Sequence, residues 1–164
     1  MVRITLSSLV SFLLVLLVAT AAEAAGIFKL VNGNGGWAKN FPPGAGRPPF
    51  FTLVDVDNGF ASIYERWNIE RFEDGYQIRN EGTGFWLTAH GKEVGGSSEL
   101  DEGQSTWYIQ PAGNGKYKIL VRNEDLVVTA RQTQPGYPVT LILKPSDGSE
   151  SQLWSFERTG FYSK

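Results

Sequence analysis

Cysteine is missing from this chain of 164 residues, and histidine and methionine occur once each. Without cysteine there is no disulfide, no thiol nucleophile and no soft metal ligand. The lone His90, in Ala-His-Gly, supplies one of the three groups a Ser-His-Asp arrangement needs and one of the four ligands of a structural zinc site. No Gly-x-Ser-x-Gly nucleophile motif occurs. Positive charge is also in short supply. Fifteen Lys and Arg face seventeen Asp and Glu, for a net charge of −2, so there is no electrostatic footprint for nucleic acid or an anionic membrane. No Asn-x-Ser/Thr acceptor for an N-glycan is present, and no stretch after the first two dozen residues sustains a helical period. These absences favour a non-catalytic protein with no cofactor and no metal.

What is present begins with an export pattern. Arg3 is followed by the apolar run Phe12 to Ala19 and then Ala22-Glu23-Ala24, which has the order of a secretory signal over residues 1–24. A single membrane anchor is the alternative for this run. The expectation is a secreted, extracellular protein with no membrane contact after cleavage. Residues 25–164 then suit a single domain with a sizeable core. With no disulfide available, stability must come from packing, and five Trp, six Tyr and ten Phe supply large apolar areas for it.

The remainder reads as strands. Apolar and polar residues alternate in Ile27-Phe28-Lys29-Leu30, Tyr76-Gln77-Ile78-Arg79 and Tyr117-Lys118-Ile119-Leu120, and turn signals at 32–36, 73–75, 113–115 and 146–148 separate such runs. Tryptophan recurs at 67, 107 and 154, 40 and 47 residues apart. Tyr76 to Ala89 and Tyr117 to Ala130 are equal in length, and both end in Thr-Ala. A period in this range marks a repeat architecture. Three units without helices predict an all-β fold, a β-trefoil: three pseudo-repeats of four strands (about 26–73, 74–113 and 114–160) forming a six-strand barrel and a hairpin cap. In such a fold Trp67, Trp107 and Trp154 belong to the core.

Two family resemblances follow. The closing Gln152-Leu153-Trp154 resembles the ricin-B-type trefoil lectins, whose sugar sites combine an acid, an aromatic platform and an amide. That resemblance implies a glycan partner, held in the third repeat by Asp125, Tyr137 and Gln152. The other set of motifs covers the chain after residue 25. It comprises Gly26-x-Phe28-x-Leu30-x-Asn32, a long Gly/Pro/Arg loop, Trp67-x-Ile69-Glu70 before Asp74-Gly75-Tyr76, and Trp107-x-Ile109-x-Pro111 before Tyr117-x-Ile119. These are similar to fungal serine protease inhibitors of the cospin type, which implies a fungal origin and inhibition through exposed loops.

Gly33–Phe51 departs most from the repeat. Pro42, Pro43, Pro48 and Pro49 restrict φ and predict a stiffened, exposed loop anchored by Trp37, Phe41, Phe50 and Phe51. A loop held extended loses little entropy on entering a protease cleft. Within it Lys39, Asn40, Phe41 and Arg47 are the candidate protease-binding residues, Arg47 being disfavoured by the Pro48 that follows. Serine protease inhibition is therefore the first expectation and carbohydrate binding the alternative. Asp55 and Asp57 read as outward acids on a strand entering the Asn58-Gly59 turn.

Overall fold

Alternation places Phe28, Leu30 and Asn32 of strand β1 (Gly26–Asn32) on a buried face and leaves Lys29 and Val31 on the outer one. The same period runs through β4 (Arg66–Phe72), where Trp67 and Ile69 are buried. In the computed structural model, which describes residues 25–44, 50–122, 124–132 and 134–159, nearly every element is a strand. The expected export signal at 1–24 and the candidate Arg47 lie outside the described residues. Among those described, no helix is long and apolar enough to cross a membrane.

Three four-strand units follow one another. The first is β1, β2 (Trp37–Asn40), β3 (Phe51–Asp57) and β4. The second is β5 (Gly75–Asn80), β6 (Trp86–His90), β7 (Glu93–Ser97) and β8 (Thr106–Gly113). The third is β9 (Lys116–Val121), β10 (Leu126–Gln132), β11 (Val139–Pro145) and β12 (Trp154–Arg158). The outer strands of each unit close a barrel: β1 pairs with β4, β4 with β5, β5 with β8, β8 with β9, β9 with β12 and β12 with β1. Closure removes the sheet edges that would otherwise seek partners. The inner strands form hairpins β2–β3, β6–β7 and β10–β11, and these join in a triangle through β3–β7, β7–β11 and β11–β3. This is a β-trefoil, as the repeats predict.

The three indoles fix the joint between barrel and cap. Trp67, Trp107 and Trp154 are essentially inaccessible. Their Nε1–H groups donate to the carbonyls of Ala38, Leu87 and Val128 at 2.9, 2.9 and 3.0 Å. Each bond runs from the last strand of a unit to the second strand of that unit, so one buried donor is satisfied in every repeat. Asn32 and Asn80, which end β1 and β5, make a second repeated device. Their amides donate to Ser151 O and Tyr64 O at 3.0 and 2.7 Å, while their Oδ1 atoms accept backbone N–H groups of the following loop. In the cap, a Cβ on Gly95 would strike the Thr52 carbonyl and the Phe51 ring, so β3 and β7 approach this closely only with glycine there.

The structure corrects the reading of Gly33–Phe51 as one exposed loop. Trp37–Asn40 is strand β2, paired with β3 from Trp37↔Asp57 to Asn40↔Val54. Ala38 must reach the Trp67 indole, which draws this segment into the barrel–cap junction. The sequence carried a signal for this, since Trp37-Ala38-Lys39-Asn40 stands where Trp86-Leu87-Thr88-Ala89 stands in the second unit.

Candidate functional site

Lys39 and Asn40, expected to enter a protease, are both buried. Lys39 donates from Nζ to Asp57 Oδ1 at 2.5 Å and to Phe60 O at 3.4 Å. Asn40 donates to Thr52 Oγ1 at 2.7 Å and accepts from Thr83 Oγ1 at 2.8 Å. Such side chains brace the fold and are unavailable to a partner's cleft. Phe41 is exposed, its ring 5.5 Å from that of Tyr64.

The alternative set is not assembled into one pocket. Gln152 is buried, and its amide is fully committed: Nε2 donates to Pro145 O and Thr129 Oγ1, and Oε1 accepts from Asp147 N. Asp125 precedes β10, beside the Leu126↔Pro145 pair, whereas Tyr137 lies beyond the Gln132↔Val139 pair at the other end of the hairpin. Six strand steps separate those pairs, roughly 20 Å at about 3.3 Å per residue. Tyr137 is exposed and its carbonyl accepts from Gln132 Nε2, so it forms part of the hairpin tip.

Comparison of the three units exposes a different location. The residue two before each core tryptophan is Glu65, Ser105 or Gln152, and all three are buried. Ser105 bonds Thr88 at 2.8 Å and Gln152 bonds Thr129 at 3.2 Å, each threonine following the carbonyl that accepts the indole. In the first unit Lys39 occupies the threonine position, and its ammonium turns away to Asp57. Glu65 turns instead to Lys29, 2.6 Å away. Its second oxygen, Oε2, is buried without a partner, and so is Ser62 Oγ, three residues earlier. A buried oxygen without a donor costs about 1–3 kcal/mol, more when charged.

Both residues line a cleft of about 530 Å³ on the outer wall of the barrel, where the first and last units meet. Register creates it: Lys29 of β1 lies opposite Arg66 of β4 on one side and Glu157 of β12 on the other. The loop Ala61–Ile63 forms one wall, and Arg158 and Thr159 extend the opposite one. Lys29 Nζ also sits 4.7 Å from the centroid of the Trp37 ring. Next to the wall residue Ala61, Phe60 is 98% exposed, an aromatic face with no core role. The sequence reading passed over Lys29, Ser62, Glu65 and Phe60; the contrast of Glu65 with Ser105 and Gln152 at one repeat position was the available signal.

Beyond the cleft, burial pushes the Asp57 carboxyl up. Hydrogen bonds from Lys39 and the Gly59 N–H, with the Lys39 charge, outweigh this and hold it below the usual aspartate range. Asp55 is pushed above that range by burial and then by the Asp57 charge. The linkage signs are opposite. Asp57 adds stability above its unfolded pKa, lost as pH falls through its lower folded value. The strain on Asp55 is relieved as pH falls through its raised folded value. Carboxyl carbon resonances followed by NMR through an acid titration are expected to show Asp55 taking up its proton before Asp57 as pH falls; the reverse order would contradict the Lys39–Asp57 pairing.

A closed six-strand barrel, a three-hairpin cap and one core indole per unit define the class: the chain has the β-trefoil fold. Residues 63–143 match the family model described as a ricin-type beta-trefoil lectin domain-like fold. Among solved structures, a mosquitocidal holotoxin aligns with TM-score 0.71 and 17% identity over 84% of this chain; the chain spans 18% of the holotoxin's length. The Rhizoctonia solani agglutinin aligns at 0.68 and 17% identity, covering 82% of this chain and 96% of its own. The Macrolepiota procera ricin B-like lectin in complex with lactose aligns at 0.65 and 14% identity, covering 84% and 98%. No curated protein sequence gives a significant match.

Proposed function

We infer that this chain is a secreted carbohydrate-binding β-trefoil protein that takes a saccharide in the cleft of its first unit. Export rests on the signal pattern of residues 1–24. Carbohydrate binding draws on the ricin-type lectin match over 63–143 and on the lectin relatives of equal size, one of them in complex with lactose. The observation that carries the location is the cleft beside the Lys29–Glu65 ion pair, where Lys29, Arg66 and the exposed Glu157 bring hydrogen-bonding groups of both signs to one opening. Polar side chains of this kind supply donors and acceptors for the hydroxyls of a pyranose ring. Phe60, the chain neighbour of the wall residue Ala61, is exposed and offers an apolar surface for the C–H face of the sugar. A volume of about 530 Å³ falls within the roughly 300–1,000 Å³ of small-molecule sites. Protease inhibition has no comparable support, because Lys39 and Asn40 are buried.

Screening the protein on an array of neutral and acidic glycans, with calorimetry on the hits, tests this reading. Glu157→Gln and Phe60→Ala are each expected to weaken binding about tenfold or more, the former by removing a charge-assisted hydrogen bond. Absence of glycan binding would refute the function. Binding unaffected by both substitutions would refute the location.

A further inference from the structure

The end of the barrel away from the cap carries another repeated arrangement. Residues directly opposite each other on paired strands share a face, so three rows can be followed across the inner wall. One runs Asn80–Trp67–Phe28–Arg158, the next Val121–Trp107–Tyr76–Arg71, and the third Asn32–Trp154–Tyr117–Pro111. Each row passes from the cap, through a core indole and an aromatic of a first strand, to a residue at the mouth. That last residue is arginine in two rows and proline in the third, and all three are exposed.

The two guanidiniums are held alike. Arg158 lies over the Phe28 ring, 5.4 Å from its centroid, and Arg71 over the Tyr76 ring at 5.9 Å. An aromatic face steadies a guanidinium without using its hydrogen-bonding edge. Neither one forms an ion pair among the described residues. The neighbouring acids are directed elsewhere. Asp74, whose charge also reaches Arg71, gives its two oxygens to Arg122 and Tyr108 at 3.1 and 2.6 Å. Glu73 pairs with Arg122 at 2.8 Å, and alternation along β12 puts Glu157 on the outer face. At the proline corner the Tyr117 ring stacks on that of Phe156, 4.9 Å between centroids, and both are half-buried. The mouth thus offers two forks of positive charge and one apolar corner.

We propose that the barrel mouth binds a phosphate monoester, with the phosphate oxygens on Arg71 and Arg158 and the organic group against Tyr117 and Pro111. A monoester carries about 1.5–2 negative charges near pH 7, which matches two cations. The planar fork of a guanidinium takes paired phosphate oxygens, and such charge-assisted bonds are about twice as strong as neutral ones. This site lies at the mouth of the barrel, on its inner face, whereas the saccharide cleft is on the outer wall. The two readings therefore stand or fall separately.

Titration calorimetry at low salt with phenyl phosphate, phenyl sulfate and inorganic phosphate tests this. Phenyl phosphate is expected to bind about tenfold or more tighter than either of the others, because phenyl sulfate carries a single charge and inorganic phosphate has no apolar group. Its advantage over phenyl sulfate is expected to shrink as salt rises. Arg71→Met and Arg158→Met keep an apolar stem over Tyr76 and Phe28 but remove the charge, and each is expected to weaken phenyl phosphate about tenfold. Pro111→Arg completes the threefold set of cations and is expected to tighten phenyl phosphate severalfold, a gain that misfolding cannot mimic. Failure of phenyl phosphate to bind, or binding unchanged in both methionine variants, would overturn the proposal. No gain from Pro111→Arg, in a variant whose circular dichroism is unaltered, would overturn the convergence of the three rows on one ligand. Inorganic phosphate binding as tightly as phenyl phosphate would overturn the apolar corner, and phenyl sulfate doing so would overturn the match of charge.

Discussion

Replacing Trp107 by alanine is expected to cost about 3–5 kcal/mol of folding stability, a large share of the roughly 5–15 kcal/mol typical of a domain. Two losses combine. The indole fills the junction between barrel and cap, where it is inaccessible to solvent, and interiors packed at this density collapse poorly around a void. Its N–H also satisfies the Leu87 carbonyl at 2.9 Å. Trp107→Phe separates the terms, keeping much of the ring volume while leaving that carbonyl without its donor, for an expected loss of about 1–3 kcal/mol. Urea unfolding followed by circular dichroism measures both, and the midpoint should move with little change in slope. The pseudo-threefold arrangement extends the expectation to Trp67 and Trp154, which bond Ala38 O and Val128 O in the same way. If Trp107→Ala cost less than about 1 kcal/mol, the indoles could not be the fasteners of this fold.

The second large effect concerns Lys29 and Glu65. Glu65 is 1% exposed, and Lys29 is its ion-pair partner at 2.6 Å. Lys29→Met leaves a buried carboxylate without a counter-charge and is expected to destabilise the protein by about 3 kcal/mol, near the lower end for breaking a buried pair because Lys29 retains some solvent contact. Adding Glu65→Gln should recover most of that loss, because a neutral amide needs no counter-charge. The third unit already carries one, Gln152, at the same repeat position. The double substitution is therefore expected to be more stable than Lys29→Met alone, with a coupling of about 1–3 kcal/mol in the double-mutant cycle. Additive losses would show that the pair is not coupled.

How far the chain could be read without coordinates differs between scaffold and site. Trp67, Trp107 and Trp154, the turn signals between alternating runs and the matched segments ending in Thr-Ala all announce three equivalent units. Local pattern suffices there, because a strand's inner face and a turn's backbone demand leave period-two and Gly/Asn marks in sequence. Strand β2 was missed because the four prolines on either side of Gly44 to Gly46 dominate the composition of Gly33–Phe51, while β2 is only four residues long. Lys39 and Asn40 read as surface residues by type. They are buried because Asp57, Phe60, Thr52 and Thr83 converge on them from elsewhere in the chain.

The chain alone determined the number of units, their strand character and the tryptophans that fill the barrel, since each of these is a local or periodic demand written once per repeat. Tertiary structure decided where the cleft forms. Residues 29, 66 and 157 meet only because β1 closes the barrel against both β4 and β12. One repeat carries a lysine where the other two carry threonine, which leaves Glu65 to find its partner on β1. Long-range register leaves no periodic mark in a sequence, and it is register that gathers the charges of the cleft.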